Sequence, residues 1–180
     1  MKAPATRSIS APVMGAVALV TAVVTASCAS DEPAAVAFPG VEPFGATLPG
    51  VPADGALSFG SVPVCTPTGE PLDIAAVEPE GDVVVTSFAA RPLDGAMLGA
   101  EDVPLDHAGF DTARRTVTAS CAEGEADELG LELSRPAASG TVGAESFQVT
   151  TRSGGTTLPF AVTLCDPADT DTPGCDPDAE

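Results

Sequence analysis

Apolar and polar residues alternate with a period of two through much of residues 61–180. Leu129, Leu131 and Leu133, for example, are separated by a glycine and a glutamate. Successive side chains of a β-strand face opposite sides, so this pattern directs one face into a core and the other towards water. No segment shows the 3.6-residue period of an amphipathic helix. We therefore expect an all-β fold.

Seven candidate strands follow from this alternation and from the turn residues between them. They cover residues 57–64, 72–78, 82–90, 115–121, 128–134, 144–152 and 156–165. Residues 78–82 and Ser153-Gly154-Gly155 have turn sequences, and each predicts a hairpin between the strands on either side. Pro159 cannot donate a ladder hydrogen bond, which favours an edge position for the last strand.

Seven short antiparallel strands in about 120 residues predict a β-sandwich. This arrangement is similar to the immunoglobulin-like domains of exported bacterial proteins, and the resemblance is one of architecture. The chain contains no Trp and no Tyr, so it lacks the buried tryptophan and the tyrosine corner of antibody domains. The absence of these rings also argues against a carbohydrate-binding cleft.

The first 28 residues have the organisation of an export signal. A short basic start precedes an uncharged, mostly apolar run over residues 11–24, and this run ends in Thr25-Ala26-Ser27-Cys28. A basic region, an apolar region and small residues before a cleavage site are the parts of a signal peptide. The cysteine directly after the small residues resembles the lipobox of bacterial lipoproteins.

The lipobox resemblance implies a location and a modification. Cys28 would receive a diacylglyceryl group, a peptidase would remove residues 1–27, and the protein would be anchored on the extracytoplasmic face of the cell membrane. Two alternatives stay open. The chain could be secreted after cleavage behind Ala26, or the uncharged stretch 8–30 could remain as a membrane helix.

The rest of the chain divides into three parts by composition. Residues 28–60 are rich in Ala, Pro and Gly without sustained periodicity, which predicts a flexible linker after the lipidated residue. Residues 61–165 contain the alternating strands of the sandwich. Residues 166–180 form an acidic tail, which a disulfide bond at Cys175 would tie back to the domain.

The charge balance excludes some classes of partner. The chain has 26 acidic residues against 7 Lys and Arg, and two of those seven lie before Cys28. Nucleic-acid binding needs clustered cations that neutralise phosphates, so we expect no nucleic-acid partner. For the same reason the protein surface should not bind anionic lipid, which leaves the lipid anchor as the expected contact with the membrane.

Four cysteines besides Cys28 are available for disulfide bonds, and an even number fits an extracytoplasmic location. We favour the pairs Cys65–Cys121 and Cys165–Cys175, because a turn sequence lies within the second, short loop. The strand pattern also permits Cys65–Cys165, since it places both residues on faces opposite their apolar neighbours. No C-x-x-C pair is present, and the chain has too few His and Met residues for a copper or zinc site with these cysteines.

Two further features could carry chemistry. His107 is flanked by aspartates and could act as the general base of a small enzyme, although a surface histidine without a role is the preferred interpretation. Asp166, Asp169 and Asp171 lie close enough along the chain to supply oxygen ligands to calcium. The EF-hand spacing is absent, so the preferred interpretation of these residues is a solvated acidic end.

Together these observations predict a membrane-anchored, non-catalytic binding or structural module at the cell envelope that requires no cofactor. Its contact surface would be an exposed strand edge or the long loop 91–114, and its partner would be another envelope protein. A calcium-binding module that uses the aspartate-rich tail and a small enzyme that uses His107 are the alternatives.

Overall fold

Strands dominate the structure, in agreement with the period-two pattern. The computed structural model describes residues 35–137 and 139–176, which form ten strands and one short 3-10 helix. These residues include no helix with the length and apolar character needed to cross a membrane. The signal segment and Cys28 lie outside the described residues, so the lipobox prediction stays a prediction.

The strands are numbered in chain order and form two sheets. They are β1 (Phe44–Leu48), β2 (Leu57–Val64), β3 (Leu72–Gly81), β4 (Val84–Pro92), β5 (Ala100–Glu101), β6 (Thr116–Val117), β7 (Asp127–Ser134), β8 (Val142–Thr151), β9 (Gly155–Leu158) and β10 (Phe160–Leu164), and the 3-10 helix covers Cys121–Glu123. The larger sheet has the order β1-β10-β8-β3-β6, with β9 also paired to β8, and the smaller sheet has the order β4-β7-β2-β5. Among these strand pairs only β1 and β10 are parallel.

The two sheets pack face to face as a β-sandwich, which confirms the predicted fold class. In immunoglobulin-like sandwiches, strands B, E and D are neighbours in one sheet and strands C, F and G in the other. Here β2, β7 and β4 have the first arrangement, and β3, β8 and β10 have the second. The segment between β4 and β7, residues 93–126, is therefore an insertion into the connection between strands D and E.

Phenylalanine rings fill the centre of the sandwich. Phe59 of the smaller sheet stacks on Phe160 of the larger sheet, with ring centroids 4.3 Å apart. Phe44 and Phe147 also stack on Phe160, at 4.7 and 5.7 Å. The inward-facing leucines of β7 are fully buried in the same core. Stacked rings at these distances add to the stability that burial of the side chains supplies.

The predicted linker is wrong for residues 35–60, which belong to the folded domain. Val36 and Val51 are buried in the sandwich core, and β1 pairs with β10 so that Phe44 lies opposite Phe160. The apolar residues of β1 do alternate, but only over five positions among prolines and glycines. Their partner strand is the last one of the fold, so no local pattern marks this segment as part of a sheet.

One predicted hairpin is wrong and the other is confirmed. β3 and β4, on either side of residues 78–82, lie in different sheets. β3 continues through Gly81, where an added Cβ atom would collide with the carbonyl oxygen of Gly143, and the chain then crosses to the smaller sheet. β8 and β9 do form a hairpin, which a hydrogen bond from the N–H of Thr151 to the carbonyl oxygen of Gly154 closes (2.8 Å).

Two predicted strands are shorter than their sequence patterns. Residues 156–165 form β9 and β10, which are separated by Pro159 because its nitrogen carries no hydrogen for the ladder. The carbonyl oxygen of Pro159 accepts a hydrogen bond from the N–H of Phe44 (3.2 Å), so β1 covers β10 and the expected edge position is wrong for β10. Residues 115–121 contain only the two-residue β6, since the chain then turns into the 3-10 helix at Cys121.

Candidate functional site

The insertion between β4 and β7 covers the outer face of the smaller sheet. We call residues 93–126 the insertion cap. Leu98, Leu105 and Phe110 of the cap are buried with Ala89 of β4 in an apolar cluster that is separate from the main core. Most of β7 is therefore buried on both faces, and the expectation that its outer face is wet is wrong.

Small residues on the sheet make room for the insertion cap. Ala89 lies opposite Gly130 in the pairing of β4 with β7. A Cβ atom added at Gly130 would lie 2.7 Å from the ring of Phe110 and 2.9 Å from Leu105. A glycine inside a strand often marks such a close approach of other groups. The cap can therefore pack directly on the sheet only because this position has no side chain.

The buried carboxylate of Glu128, which is paired with Arg91, fixes the insertion cap to the sheet. Oε2 of Glu128 on β7 lies 2.7 Å from Nη2 of Arg91 on β4. Oε1 of Glu128 accepts hydrogen bonds from the backbone N–H groups of Leu98 (2.6 Å) and Ser61 (3.2 Å). The guanidinium group of Arg91 stacks on the ring of Phe110 at 4.2 Å. Both oxygens of the carboxylate thus have donors, which offsets the cost of removing its charge from water.

A second buried carboxylate holds the end of the insertion cap. Oδ2 of Asp127, the first residue of β7, accepts hydrogen bonds from the backbone N–H groups of Thr118 (2.6 Å) and Ala119 (3.1 Å). Arg114 lies 3.6 Å from the other oxygen of Asp127. These contacts fix the path by which the chain returns from the cap to the sheet.

Both disulfide bonds of the favoured pairing are present. Cys65–Cys121 links the residue after β2 to the insertion cap, with an S–S distance of 2.07 Å. Cys165–Cys175 ties the acidic tail to the end of β10. The alternative pair Cys65–Cys165 is wrong, because each of these sulfur atoms is bonded to another partner.

The insertion cap and the segment before β1 enclose an apolar groove on the surface. Its volume is about 480 Å³, and its apolar lining comes from Val41, Phe44, Pro63 and Met97. We call it the Met97 groove. Met97 is 43% exposed, and Val84 (42%) is the other large apolar side chain that is exposed among the described residues. A flexible thioether beside an apolar concavity suits contact with an apolar side chain of another molecule.

Comparison of the chain with protein-family models, with curated proteins and with solved structures finds no match. No activity, ligand or partner is therefore transferred from another protein. The immunoglobulin-like order of the strands describes an architecture, which many unrelated functions share. The function has to follow from the geometry of this chain.

His107 lies on the surface of the insertion cap. Its side chain is exposed and makes no hydrogen bond within the described residues, while its backbone N–H donates to the carbonyl oxygen of Pro104 (2.9 Å). Asp111 uses its Oδ1 atom to accept the N–H of Ala113 (3.0 Å). The enzyme hypothesis requires a hydrogen bond between His107 and a carboxylate or a nucleophile. Among the described residues, the His107 side chain makes no such bond.

Two of the three aspartates considered as calcium ligands, Asp166 and Asp169, bind protein groups through their carboxylates. Oδ2 of Asp166 lies 2.8 Å from Nη1 of Arg135, a residue that is buried. Oδ2 of Asp169 accepts hydrogen bonds from the hydroxyl groups of Thr141 and Thr172, the latter at 2.8 Å. The first half of the acidic tail is thus attached to the sandwich rather than only solvated.

These contacts favour the charged form of Asp169. The hydrogen bond from the Thr141 hydroxyl, followed by that from Thr172, lowers the pKa of Asp169 from 3.8 to about 2. Asp171 donates its backbone N–H to Oδ1 of Asp169 (3.1 Å). No group of three His, Cys, Asp or Glu side chains within the described residues could hold a metal ion. The expected ligand set of Asp166, Asp169 and Asp171 is therefore not assembled in this structure.

The sequence interpretation missed the residues that build the insertion cap. Strict alternation assigns Glu128 and Gly130 to a wet face, and it gives no sign that Arg91 lies beside Glu128. The one available signal is the glycine between two leucines in β7, because a missing side chain on an outer face can mark a close approach. Nothing in the sequence around Met97 indicates that its side chain is exposed, since this depends on how the cap folds.

Proposed function

We propose that the protein is an exported lipoprotein, anchored through Cys28, that acts as a non-catalytic binding module at the cell envelope. Its contact surface is the Met97 groove, and its partner is an envelope protein that places an apolar side chain in this groove. The observation that carries the proposal is the exposure of Met97 beside Val41 and Pro63. The large apolar residues of the cap's own cluster are buried against the sheet, so Met97 stands out as the exposed one.

The groove is held in place by contacts around Met97. Leu98, the next residue, donates its N–H to Glu128, and its carbonyl oxygen accepts the hydroxyl of Ser61 (2.7 Å). Met97 itself belongs to neither apolar cluster of the protein. A surface that is ordered before binding loses little conformational entropy when a partner arrives. Exposure of a large apolar residue on such a rigid support is typical of a contact surface.

The folded domain begins close to the proposed anchor. Ala35 and Val36 are buried, and Ala35 lies only seven positions after Cys28. A segment of this length reaches at most about 25 Å, since an extended residue spans ~3.6 Å. The anchor would therefore keep the domain near the membrane. From Cys28 onwards the chain has 26 acidic residues against 5 basic ones, so its surface is repelled by anionic headgroups and a membrane-proximal protein suits this position better than lipid.

The anchor is tested on the native protein. We expect mass spectrometry of its N-terminal peptide to show a chain that begins at Cys28 and carries a diacylglyceryl group. We also expect Cys28→Ala to prevent both lipid attachment and removal of residues 1–27. An unmodified Cys28, or a native peptide that retains residues before it, would contradict the anchor.

The contact surface is tested by photo-crosslinking in intact cells. A photoreactive amino acid replaces Met97, and in a second variant it replaces Val84, a matched control because the two side chains are almost equally exposed. We expect a defined crosslinked product from position 97 and none from position 84. Equal products from both positions, or no product from position 97, would count against the Met97 groove.

A further inference from the structure

Two arginines have no ion pair within the part of the chain that the structure describes. This part contains five arginines, and three of them are paired. The pairs are Arg91 with Glu128, Arg114 with Asp127, and Arg135 with Asp166. Arg115 and Arg152 are the exceptions. Both residues are exposed, so their charges are accessible to a ligand.

Arg115 and Arg152 line the same pocket. Its volume is about 360 Å³, and its polar wall also includes Asp73 and Thr116. The remaining lining residues are Ile74, Ala75 and Ala113. The pocket lies where β6 leaves the insertion cap and pairs with β3, beside the turn that follows β8. Only the folded chain brings these two arginines to one concavity.

The backbone and side-chain contacts around Arg115 hold it in place. Its guanidinium carbon lies 4.5 Å from the centroid of the Phe88 ring. Its carbonyl oxygen accepts the N–H of Ile74 (2.9 Å). A guanidinium group that stacks on an aromatic ring keeps its N–H edge available for hydrogen bonds, and its fixed position lowers the entropy cost of binding. Arg152 lies next to Thr151, whose bond to Gly154 closes the turn.

We propose that this pocket binds the carboxylate group of a small ligand. Guanidinium groups match the planar geometry of a carboxylate and donate strong charge-assisted hydrogen bonds to it. The proposal goes beyond the function proposed above, because it depends neither on the lipid anchor nor on the Met97 groove.

Asp73 sets the charge preference of the pocket. Its Oδ1 atom accepts a hydrogen bond from the hydroxyl of Thr116, which keeps the carboxylate in the pocket wall near the two arginines. Two guanidinium groups and one carboxylate leave a single positive charge, which matches a monoanion. A phosphate dianion would meet twice the repulsion from Asp73 that a monoanion meets, so removal of this charge should help phosphate more than acetate.

The test is an NMR titration of the full chain in a non-ionic detergent, followed on the Nε–Hε signals of Arg115 and Arg152. Acetate is the probe for a carboxylate, and inorganic phosphate is the comparison. We expect acetate to shift both signals to saturation, and a tighter response to phosphate would count against a carboxylate site. Arg115→Gln and Arg152→Gln should each weaken acetate binding roughly tenfold or more, as expected when a charge-assisted hydrogen bond is lost.

Two further variants separate the pocket from general electrostatics. Glu101→Gln changes the net charge by one unit at an exposed residue outside the pocket, so acetate affinity should stay within about twofold because a screened, non-contacting charge contributes little. Asp73→Asn should raise the affinity for phosphate relative to acetate. The absence of a saturable acetate shift, or a change in Glu101→Gln as large as in the arginine variants, would overturn the proposal.

Discussion

Arg91 and Glu128 are cross-strand neighbours on β4 and β7, and their side chains meet beneath the insertion cap with 2.7 Å between Nη2 and Oε2. The side chain of Glu128 is 1% exposed, whereas that of Arg91 is 28% exposed. The pair is therefore asymmetric. Loss of either partner leaves a charge behind, but only the carboxylate would be left without access to water.

The asymmetry of this pair predicts unequal effects of its two substitutions. Arg91→Met leaves a buried, uncompensated carboxylate and should lower the free energy of unfolding by about 3–5 kcal/mol. Glu128→Gln leaves a partly exposed guanidinium group and should cost less, about 1–3 kcal/mol. Urea unfolding of both variants measures the difference. A Glu128→Gln variant at least as unstable as Arg91→Met would contradict the assignment.

The close approach at Gly130 predicts that even one methyl group disturbs the insertion cap. Gly130→Ala places its Cβ atom against Phe110 and Leu105 and should destabilise the protein by about 1–3 kcal/mol, the usual cost of overpacking. Gly99→Ala is the matched control within the cap, since no atom lies within 4 Å of its added Cβ. Hydrogen exchange at the amide of Leu98 should become faster in the first variant only. Equal behaviour of the two variants would show that the cap does not pack on β7 as described.

The two disulfide bonds are expected to differ in their contribution to stability. Cys65–Cys121 spans 56 residues and Cys165–Cys175 spans 10. Because a longer loop loses more entropy on cross-linking, the chain-entropy model assigns about 4 kcal/mol to the first and about 3 kcal/mol to the second. Double Cys→Ser variants of each pair, compared by urea unfolding, test this order. A larger loss from the short loop would mean that native contacts of the tail, rather than loop entropy, determine the effect.

The lowered pKa of Asp169 predicts a pH dependence in acid. Because the pKa of Asp169 in the folded protein is about 2, below its ordinary value of 3.8, the contribution of this group to stability is present above pH 3.8 and is lost as the pH falls towards 2. Thr141→Ala removes the hydrogen bond that lowers this pKa most, so an NMR titration should show the pKa of Asp169 rise towards 3.8.

Thr112 supplies the control for this titration, because its hydroxyl makes no hydrogen bond within the described residues. Thr112→Ala should leave the pKa of Asp169 unchanged. An unaltered pKa in Thr141→Ala would show that other donors, such as Thr172, are sufficient to hold the charged form.

Local alternation predicted most of the strands but not their partners. Residues 57–64 coincide with β2, and the candidate strand 128–134 differs from β7 by one residue. The predicted hairpin around residues 78–82 was wrong. A turn sequence indicates that the chain reverses direction, but it does not determine whether the next strand joins the same sheet. The confirmed hairpin after β8 differs because its two strands continue the same ladder.

The candidate site was less accessible to sequence reasoning than the fold. The loop 91–114 was expected as a contact surface, and its residues do form much of the insertion cap. Its orientation, the burial of Glu128 and the exposure of Met97 depend on packing against β2, β4 and β7. No composition or spacing rule contains this information, because these contacts join residues that are far apart along the chain.

The sequence alone determined the strand-forming alternation, the acidic surface and the number of cysteines, since each depends on residue type or on immediate neighbours. Only the tertiary structure decided that β1 closes the larger sheet against β10, that the insertion cap buries the outer face of β7, and that Arg115 and Arg152 share one pocket. These relationships are set by the free energy of packing between distant segments, which a periodic pattern along the chain does not encode.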